Sequence, residues 1–383
     1  MPAIPPIPRR LAFNRHELAG AFGDLGTDLP LIVGMVLAAG LDPASVLVAF
    51  GTMQVFTGLV YRLPMPVQPL KAVAAIVIAQ RLPPGVIYGA GLAIGIVMLL
   101  LTVLGLISWL ARVVPRAVIR GIQLGLGIQL ASIALGRFVP AEGPGGLALA
   151  AAAFVLVVTL LGNGRLPAAL PVVALGAIWG LLMGSSVNDA AVLGFTLPIL
   201  HVPTVPDIVT GFVVLALPQL PLSLGNSILA TRQVVRDYYP DVDLSVRRIA
   251  FTYSVMNLVN PWVGGIPTCH GSGGFAGHYA FGGRTGGSVV LYGACFLGAG
   301  LFLSGGFGHL LRVFPLPVLG VLLLFEALAL IVLVRDLAGD RAELALAGLV
   351  GLVAAFLPYG YVVGLVVGTV LAHLGRHRVF GER

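Results

Sequence analysis

Four short stretches hold most of the residues able to do chemistry, and one of them carries the only lysine, Lys71. It lies in Pro64-Met65-Pro66-Val67-Gln68-Pro69-Leu70-Lys71-Ala72, followed by an apolar run to Gln80. Proline biases the residue before it toward extended geometry, so this piece reads as a short extended segment with regular helix starting near Gln68. A second stretch, Ile266-Pro267-Thr268-Cys269-His270-Gly271-Ser272-Gly273-Gly274, has a similar layout, with glycines and a serine hydroxyl at the start of a short apolar run. A lysine at mid-membrane costs about 2.5–3.5 kcal/mol on insertion scales and normally faces a cavity or a partner. A helix that begins beside it aims the positive end of its dipole at the same point. Lysine and helix ends together suit an anion; the alternative role for Lys71 is a structural ion pair with Asp24 or Asp28.

The other two stretches are Phe22-Gly23-Asp24-Leu25-Gly26-Thr27-Asp28-Leu29-Pro30 and Leu217-Pro218-Gln219-Leu220-Pro221-Leu222-Ser223-Leu224-Gly225-Asn226-Ser227. Carboxylates within apolar segments point to function, so Asp24 reads as a proton carrier or a partner for Lys71. Asp28, nearer the interface, fits a site carboxylate and a solvated one equally well. Gln68, Thr27, Asn226 and Ser272 add neutral donors. The candidate ligand-binding set is therefore Thr27, Gln68, Lys71, Asn226, His270, Gly271 and Ser272, with Asp24 and His270 as the proton-coupling pair.

Other chemistries fit less well. Cys269, His270 and His278 lack a fourth ligand and a carboxylate, so no metal and no cofactor is expected. Cys269 and His270 as helix neighbours diverge by about 100°, which argues against a nucleophile–base dyad and against an enzyme. The Gly121-Ile122-Gln123-Leu124-Gly125-Leu126-Gly127 run has no strand before it and reads as close helix packing rather than a nucleotide loop. Arg236-Asp237-Tyr238-Tyr239-Pro240-Asp241-Val242-Asp243 reads as a solvated cytoplasmic loop.

The elements that must position these residues are membrane spans. Of 383 residues, 58% are hydrophobic and 10% charged, and the mean hydropathy is +1.02; this is the composition of an all-α polytopic membrane protein embedded in a lipid bilayer. The length allows about twelve to fourteen crossings. Apolar runs predict 14 spans in two sets of seven, over residues 15–185 and 207–374, with a linker at 186–206 and cytoplasmic tails at 1–14 and 375–383. The third span of each set is short, at 66–80 and 268–281, and Met65–Ala72 aligns with Ile266–Gly273 across the sets. An odd number of spans per set inverts the second relative to the first, and paired interrupted spans in inverted repeats point to a transporter's midplane site.

With both termini inside, 18 arginines fall on the cytoplasmic side and three, Arg81, Arg137 and Arg312, outside; Lys71 completes the 22 basic residues. That asymmetry accounts for the net charge of +7 and the pI near 9.8. The arginines are scattered at span ends, so no nucleic acid partner is expected. The proline-rich start lacks the apolar core of a signal peptide, and two cysteines in apolar segments make no disulfide framework.

Taken in order, the four stretches together with Arg284-Thr285-Gly286 resemble the molybdate-transporter family, a relative of the sulfate permeases, over essentially the whole chain. The resemblance implies a seven-plus-seven inverted repeat whose half-helices are spans 3 and 10. It also implies a core of spans 1–4 and 8–11 moving against a gate of spans 5–7 and 12–14, and homodimers joined gate to gate in the plasma membrane. Two departures from the sulfate permeases are expected: no regulatory domain of the kind typical of them, and Asp28 at a position where an apolar residue is expected.

Charge arithmetic agrees with that resemblance. Two half-helix N-termini supply about +0.5 each and Lys71 supplies +1, a pocket of about +2 that complements a tetrahedral dianion. The expectation is proton-coupled uptake of molybdate or a related oxyanion by elevator-like alternating access, with Asp24 protonated as the anion enters. A sulfate permease is the near alternative. A nucleobase permease needs carboxylates where the second half presents Asn226 and Gly271, and an anion channel needs a sustained polar stripe that no span shows.

Overall fold

Apolar helices joined by short connections account for nearly all of the computed structural model, which describes residues 10–107, 113–163, 166–183, 194–303 and 314–375. Much of both tails and of the linker lies outside the described residues, as do Arg9, Arg112, Arg165, Arg312, Arg376, Arg378 and Arg383. The first half comprises α1 (Arg15–Ala21), α2 (Leu25–Ala39), α3 (Pro43–Tyr61), β1 (Val67–Pro69), α4 (Lys71–Gln80) and α5 (Pro84–Val103), then α6 (Arg116–Ile133), α7 (Gly143–Leu160) and α8 (Ala169–Leu182). The second comprises α9 (Val205–Tyr238), α10 (Val246–Val259), β2 (Thr268–His270), α11 (Ser272–Ala280), α12 (Gly287–Phe302), α13 (Leu316–Val332), α14 (Arg341–Phe356) and α15 (Gly360–Gly375). Among the described residues six helices are long and apolar enough to cross a membrane, or seven if α1 and α2, bent by 43°, form one broken span.

Local sequence explains several helix ends. Asp42 caps α3 through Ser45 N at 2.8 Å, with Pro43 in the first turn where no donor is needed. In α9 the prolines Pro218 and Pro221 remove two donors, and the helix continues through π-type turns at Phe212–Ala216 and Ser223–Leu229.

The centre of the molecule is extended rather than helical. β1 and β2 pair antiparallel, with Gln68 opposite Cys269, Val67 opposite His270 and Pro69 opposite Thr268. Helix therefore starts at Lys71 and not near Gln68, because Pro69 keeps Gln68 extended. On the outer side of each strand, side-chain amides complete the backbone. Gln54 of α3 accepts from Val67 N at 2.9 Å and donates to its carbonyl at 2.6 Å. Asn257 of α10 does the same for Thr268, at 3.0 and 2.7 Å. Buried backbone groups left without partners cost several kcal/mol each in apolar surroundings, so such clamps allow extended chain at this depth.

Small residues set the helix spacing. A Cβ at Gly121 would lie 2.7 Å from the Ala347 carbonyl of α14, at Gly125 2.8 Å from that of Gly351, and at Gly127 2.8 Å from that of Ala327 in α13. The glycine run is thus helix packing, as its sequence context predicts. The Arg236–Asp243 stretch departs from expectation. Asp241 and Asp243 are exposed, but Tyr239 is 2% exposed, donates its hydroxyl to the Arg284 carbonyl at 2.8 Å, and packs edge-on against Phe275 and Tyr279. An aromatic ring beside a helix end is drawn into apolar contact even where its neighbours are charged.

Arg284-Thr285-Gly286 has a structural role. The buried Glu17 carboxylate accepts from the backbone N–H groups of Arg284 at 3.0 Å, Thr285 at 2.9 Å and Ser288 at 3.0 Å, tying α1 to the start of α12. Replacing Glu17 with Ala leaves three buried donors without an acceptor, at about 1–3 kcal/mol each. Glu17→Ala is therefore expected to lower the thermal midpoint of the purified protein markedly in detergent; an unchanged midpoint would show that the clasp contributes nothing.

Candidate functional site

Because α4 and α11 each start two residues beyond a paired strand, their N-terminal ends converge on the strand pair from opposite sides. Beside that junction is a cavity of about 230 Å³, lined by Gln68, Lys71, Asn226, His270, Gly271 and Ser272, with Gln219, Ser227 and Cys269 among the others. Six of the seven ligand-binding candidates thus share one cavity. Thr27 does not; it lines a separate cavity of about 200 Å³ that includes Glu326.

The floor of the main cavity is a network of amides and carboxylates. Gln68 Nε2 donates to both oxygens of Asp24, at 2.7 and 2.8 Å, so Asp24 sits behind Gln68 rather than on the cavity wall. A Cβ on Gly271 would overlap the Gln68 carboxamide, so only glycine allows this close approach. Gly274 plays the same part against Asp24 and Pro66, whereas Gly273 faces open space.

At the start of α4 the donors are already in use. Gln219 Oε1 accepts from Ala72 N at 3.0 Å and Val73 N at 3.4 Å, and its Nε2 donates to Ser223 Oγ at 3.0 Å. The dipole of α4 still points at the cavity, but these two N–H groups serve the protein. His270 is fully buried, with Nε2 at 2.7 Å from Thr252 Oγ1 and its ring edge-on to Tyr61. The extended β2 sends Cys269 and His270 to opposite faces, which separates them further than the helix expected from sequence.

Lys71 pairs with Glu326 of α13, and with neither Asp24 nor Asp28. The Glu326 side chain is 5% exposed and that of Lys71 28%. The other ion pairs among the described residues, on Asp336 and Asp243, sit at more exposed positions. Asp28 is wholly buried and accepts from the Tyr292 hydroxyl at 3.0 Å, which removes the solvated alternative. Glu326 also alters the charge arithmetic: ionised, it lowers the pocket from about +2 to about +1, and an ionised Asp24 lowers it to about zero.

Sequence reasoning overlooks Glu326 and Glu17, although a signal exists for both. Each is an acidic residue in an apolar helical segment, the criterion that picks out Asp24. What sequence does not show is that Glu326, over 250 positions from Lys71, meets it in space.

A second cavity, of about 480 Å³, lies at the other end of α13, lined by Arg81, Arg137 and Leu316, whereas Leu330 and Leu333 line the first. Glu326 falls between those ends, roughly 15 Å from Leu316 and 10 Å from Leu333 at 1.5 Å per residue.

Residues 16–130 and 211–330 match the family described as molybdate transporter of the MFS superfamily. Molybdate transporter 2 of Arabidopsis thaliana is 34% identical over 370 residues, covering 84% of this chain and 79% of that protein. Molybdate transporter 1 of Chlamydomonas reinhardtii is 28% identical over 479 residues, covering 94% and 92% respectively. Among solved structures, the murine Slc26a9 anion transporter in the inward-facing state superposes with a TM-score of 0.71 at 13% identity, covering 97% of this chain and 70% of that one. A second SLC26A9 structure gives 0.70 at 14% identity; this chain covers 64% of its length, with 94% of this chain aligned. The transmembrane domain of the cyanobacterial bicarbonate transporter BicA gives 0.62 at 16% identity, covering 90% of this chain and 97% of that domain. At these identities the structural likeness concerns the fold alone. The protein is a multi-pass membrane transporter rather than an enzyme, with the fold of SLC26A9 and BicA. By its profile match and its sequence relatives, the chain belongs to the molybdate transporter family.

Proposed function

We propose that this protein takes up molybdate across the plasma membrane as a secondary active transporter, by proton-coupled, elevator-like alternating access. The observation that carries this reading is the convergence of Lys71 and the starts of α4 and α11 on one cavity of about 230 Å³. A tetrahedral dianion is matched there by the cation, two helix dipoles and the neutral donors Gln68, Asn226 and Ser272. Relatives named as molybdate transporters favour molybdate over sulfate and over a nucleobase.

In this reading the chain makes fourteen crossings in two inverted sets of seven, residues 15–185 and 207–374 around the 186–206 linker, with tails 1–14 and 375–383 cytoplasmic. The antiparallel strand pair, with Gln54 and Asn257 in matching roles, supports the inverted repeat. Helix packing supports a core and a gate: α3 packs on α12 and α5 on α9 and α10, while α6 packs on α13 and α14. Gate-to-gate homodimers complete the assembly. Asp24 and His270 form the proton-coupling pair, and Asp24 carries a proton when the anion enters. Ionised carboxylates beside the cavity otherwise cancel the field that binds the dianion.

Lys71→Met removes the charge and is expected to weaken molybdate binding about a hundredfold, the equivalent of about 2.7 kcal/mol. Equilibrium binding to purified protein measures this, and unchanged affinity refutes the charge argument. In proteoliposomes, uptake is expected to fall as external pH rises and to move protons with the anion. A pH-independent rate without proton flux refutes the coupling. Excess sulfate is expected to displace labelled molybdate only weakly; equal competition makes the protein a general oxyanion carrier.

A further inference from the structure

Glu326 poses a problem for any dianion carrier. Its carboxylate occupies Lys71, the one cation lining the main cavity among the described residues. It comes from α13 and Lys71 from α4, which the transport reading assigns to the gate and the core, so in that reading the pair bridges the two bodies. The groups facing it are few. Lys71 pairs with it, and Asp24 lies within electrostatic reach of both. Asp28 of α2 is held by Tyr292. Thr27, Val157 of α7 and Ala168 and Ala169 at the start of α8 line its small cavity without charge. Arg116 and Arg120 of α6 are engaged by Asp336, in the 3-10 turn Leu333–Leu337 that follows α13.

A dianion and an ionised Glu326 cannot share Lys71. Lys71 at +1 and two helix ends at about +0.5 each balance a charge of −2 and nothing more. Displacing an ionised carboxylate without a new partner strands a buried charge at several kcal/mol, comparable to breaking a buried ion pair. Protonation removes that cost.

We propose that Glu326 is a tethered counter-anion, which holds Lys71 while the cavity is empty and yields it to the incoming dianion by taking up a proton. The exchange balances: the ammonium–carboxylate pair, a dianion and one proton become an ammonium–dianion pair and a neutral carboxylic acid. Glu326 thereby excludes weak monoanions, which cannot displace a carboxylate from Lys71. The carboxylate would also close the empty cavity across the core–gate boundary, neutralising Lys71 for the return step. The inference rests on the transport reading above.

Equilibrium binding of labelled molybdate to full-length protein from about pH 5.5 to 8.5 tests the proton exchange. Glu326→Gln fixes the neutral form, so its slope of log Kd against pH is expected to fall by about one proton relative to the unaltered protein. Its affinity at pH 8.5 is expected to rise at least tenfold. An unchanged slope overturns the proposal, and so does a loss of binding equal to that of Lys71→Met, which would make Glu326 a positioning residue for Lys71.

A second measurement needs no variant. A hydrophobic carbodiimide activates the Glu326 carboxyl, Lys71 Nζ attacks it, and an amide forms as the reagent becomes its urea. Peptide mass analysis is expected to show this Lys71–Glu326 link in the empty protein and its loss at saturating molybdate. A link whose yield does not change on saturation overturns the proposal while leaving molybdate binding intact. Absence of molybdate binding by the unaltered protein overturns the transport reading and the proposal with it.

Discussion

Inside hydrocarbon a backbone polar group has no water to turn to, and this constraint shapes the centre of the protein. Extended chain occurs there only because β1 and β2 satisfy each other and because Gln54 and Asn257 complete Val67 and Thr268. Once the strands are paired, the two short helices that follow must start near one another. The convergence of α4 and α11 on a common cavity is thus a consequence of hydrogen-bond satisfaction as much as of any ligand.

The surrounding helices hold this unit by close approach and by buried polar ties. Glu17 locks α1 to the start of α12, and Gln219 of α9 caps the first turn of α4. Asp24 is held by Gln68, and Gly271 and Gly274 let β2 and α11 come close enough for that contact. These side chains are buried and partnered, which holds the elements around the strand pair together. Lys71 and Glu326 differ because they join α4 to α13, two helices that both pack on α2 and α6. A charge pair between two helices gives direction to a conformational change, since separating its members requires something else to meet each charge.

Much of the site is legible in residue type and spacing. Gln68, Lys71, Asn226, His270, Gly271 and Ser272 stand out as polar or small residues within interrupted apolar spans, and they line one cavity. Thr27 groups with them in sequence because it shares a stretch with Asp24, yet the helical turn after the α1–α2 break sends it to another cavity. Glu326 escapes notice because α13 is otherwise uniformly apolar and lacks a motif. The strand at Thr268–His270 reads as helix in the sequence because three residues between proline and glycine give no periodicity.

Sequence by itself determined a multi-pass membrane protein, two proline-interrupted stretches and the polar residue types that line the cavity, because hydrophobicity, proline placement and charge act locally along a chain. Family membership follows from the same local motifs. Tertiary structure decided which charges meet. Asp24 lies under Gln68, Asp28 under Tyr292, and Lys71 against Glu326 from a helix more than 250 positions away. Those pairings depend on how helices pack around the strand pair, and an ion pair between distant segments leaves no trace in the spacing of either one. The physical reason is that electrostatic partnership is a matter of distance in space, whereas a sequence records only distance along the chain.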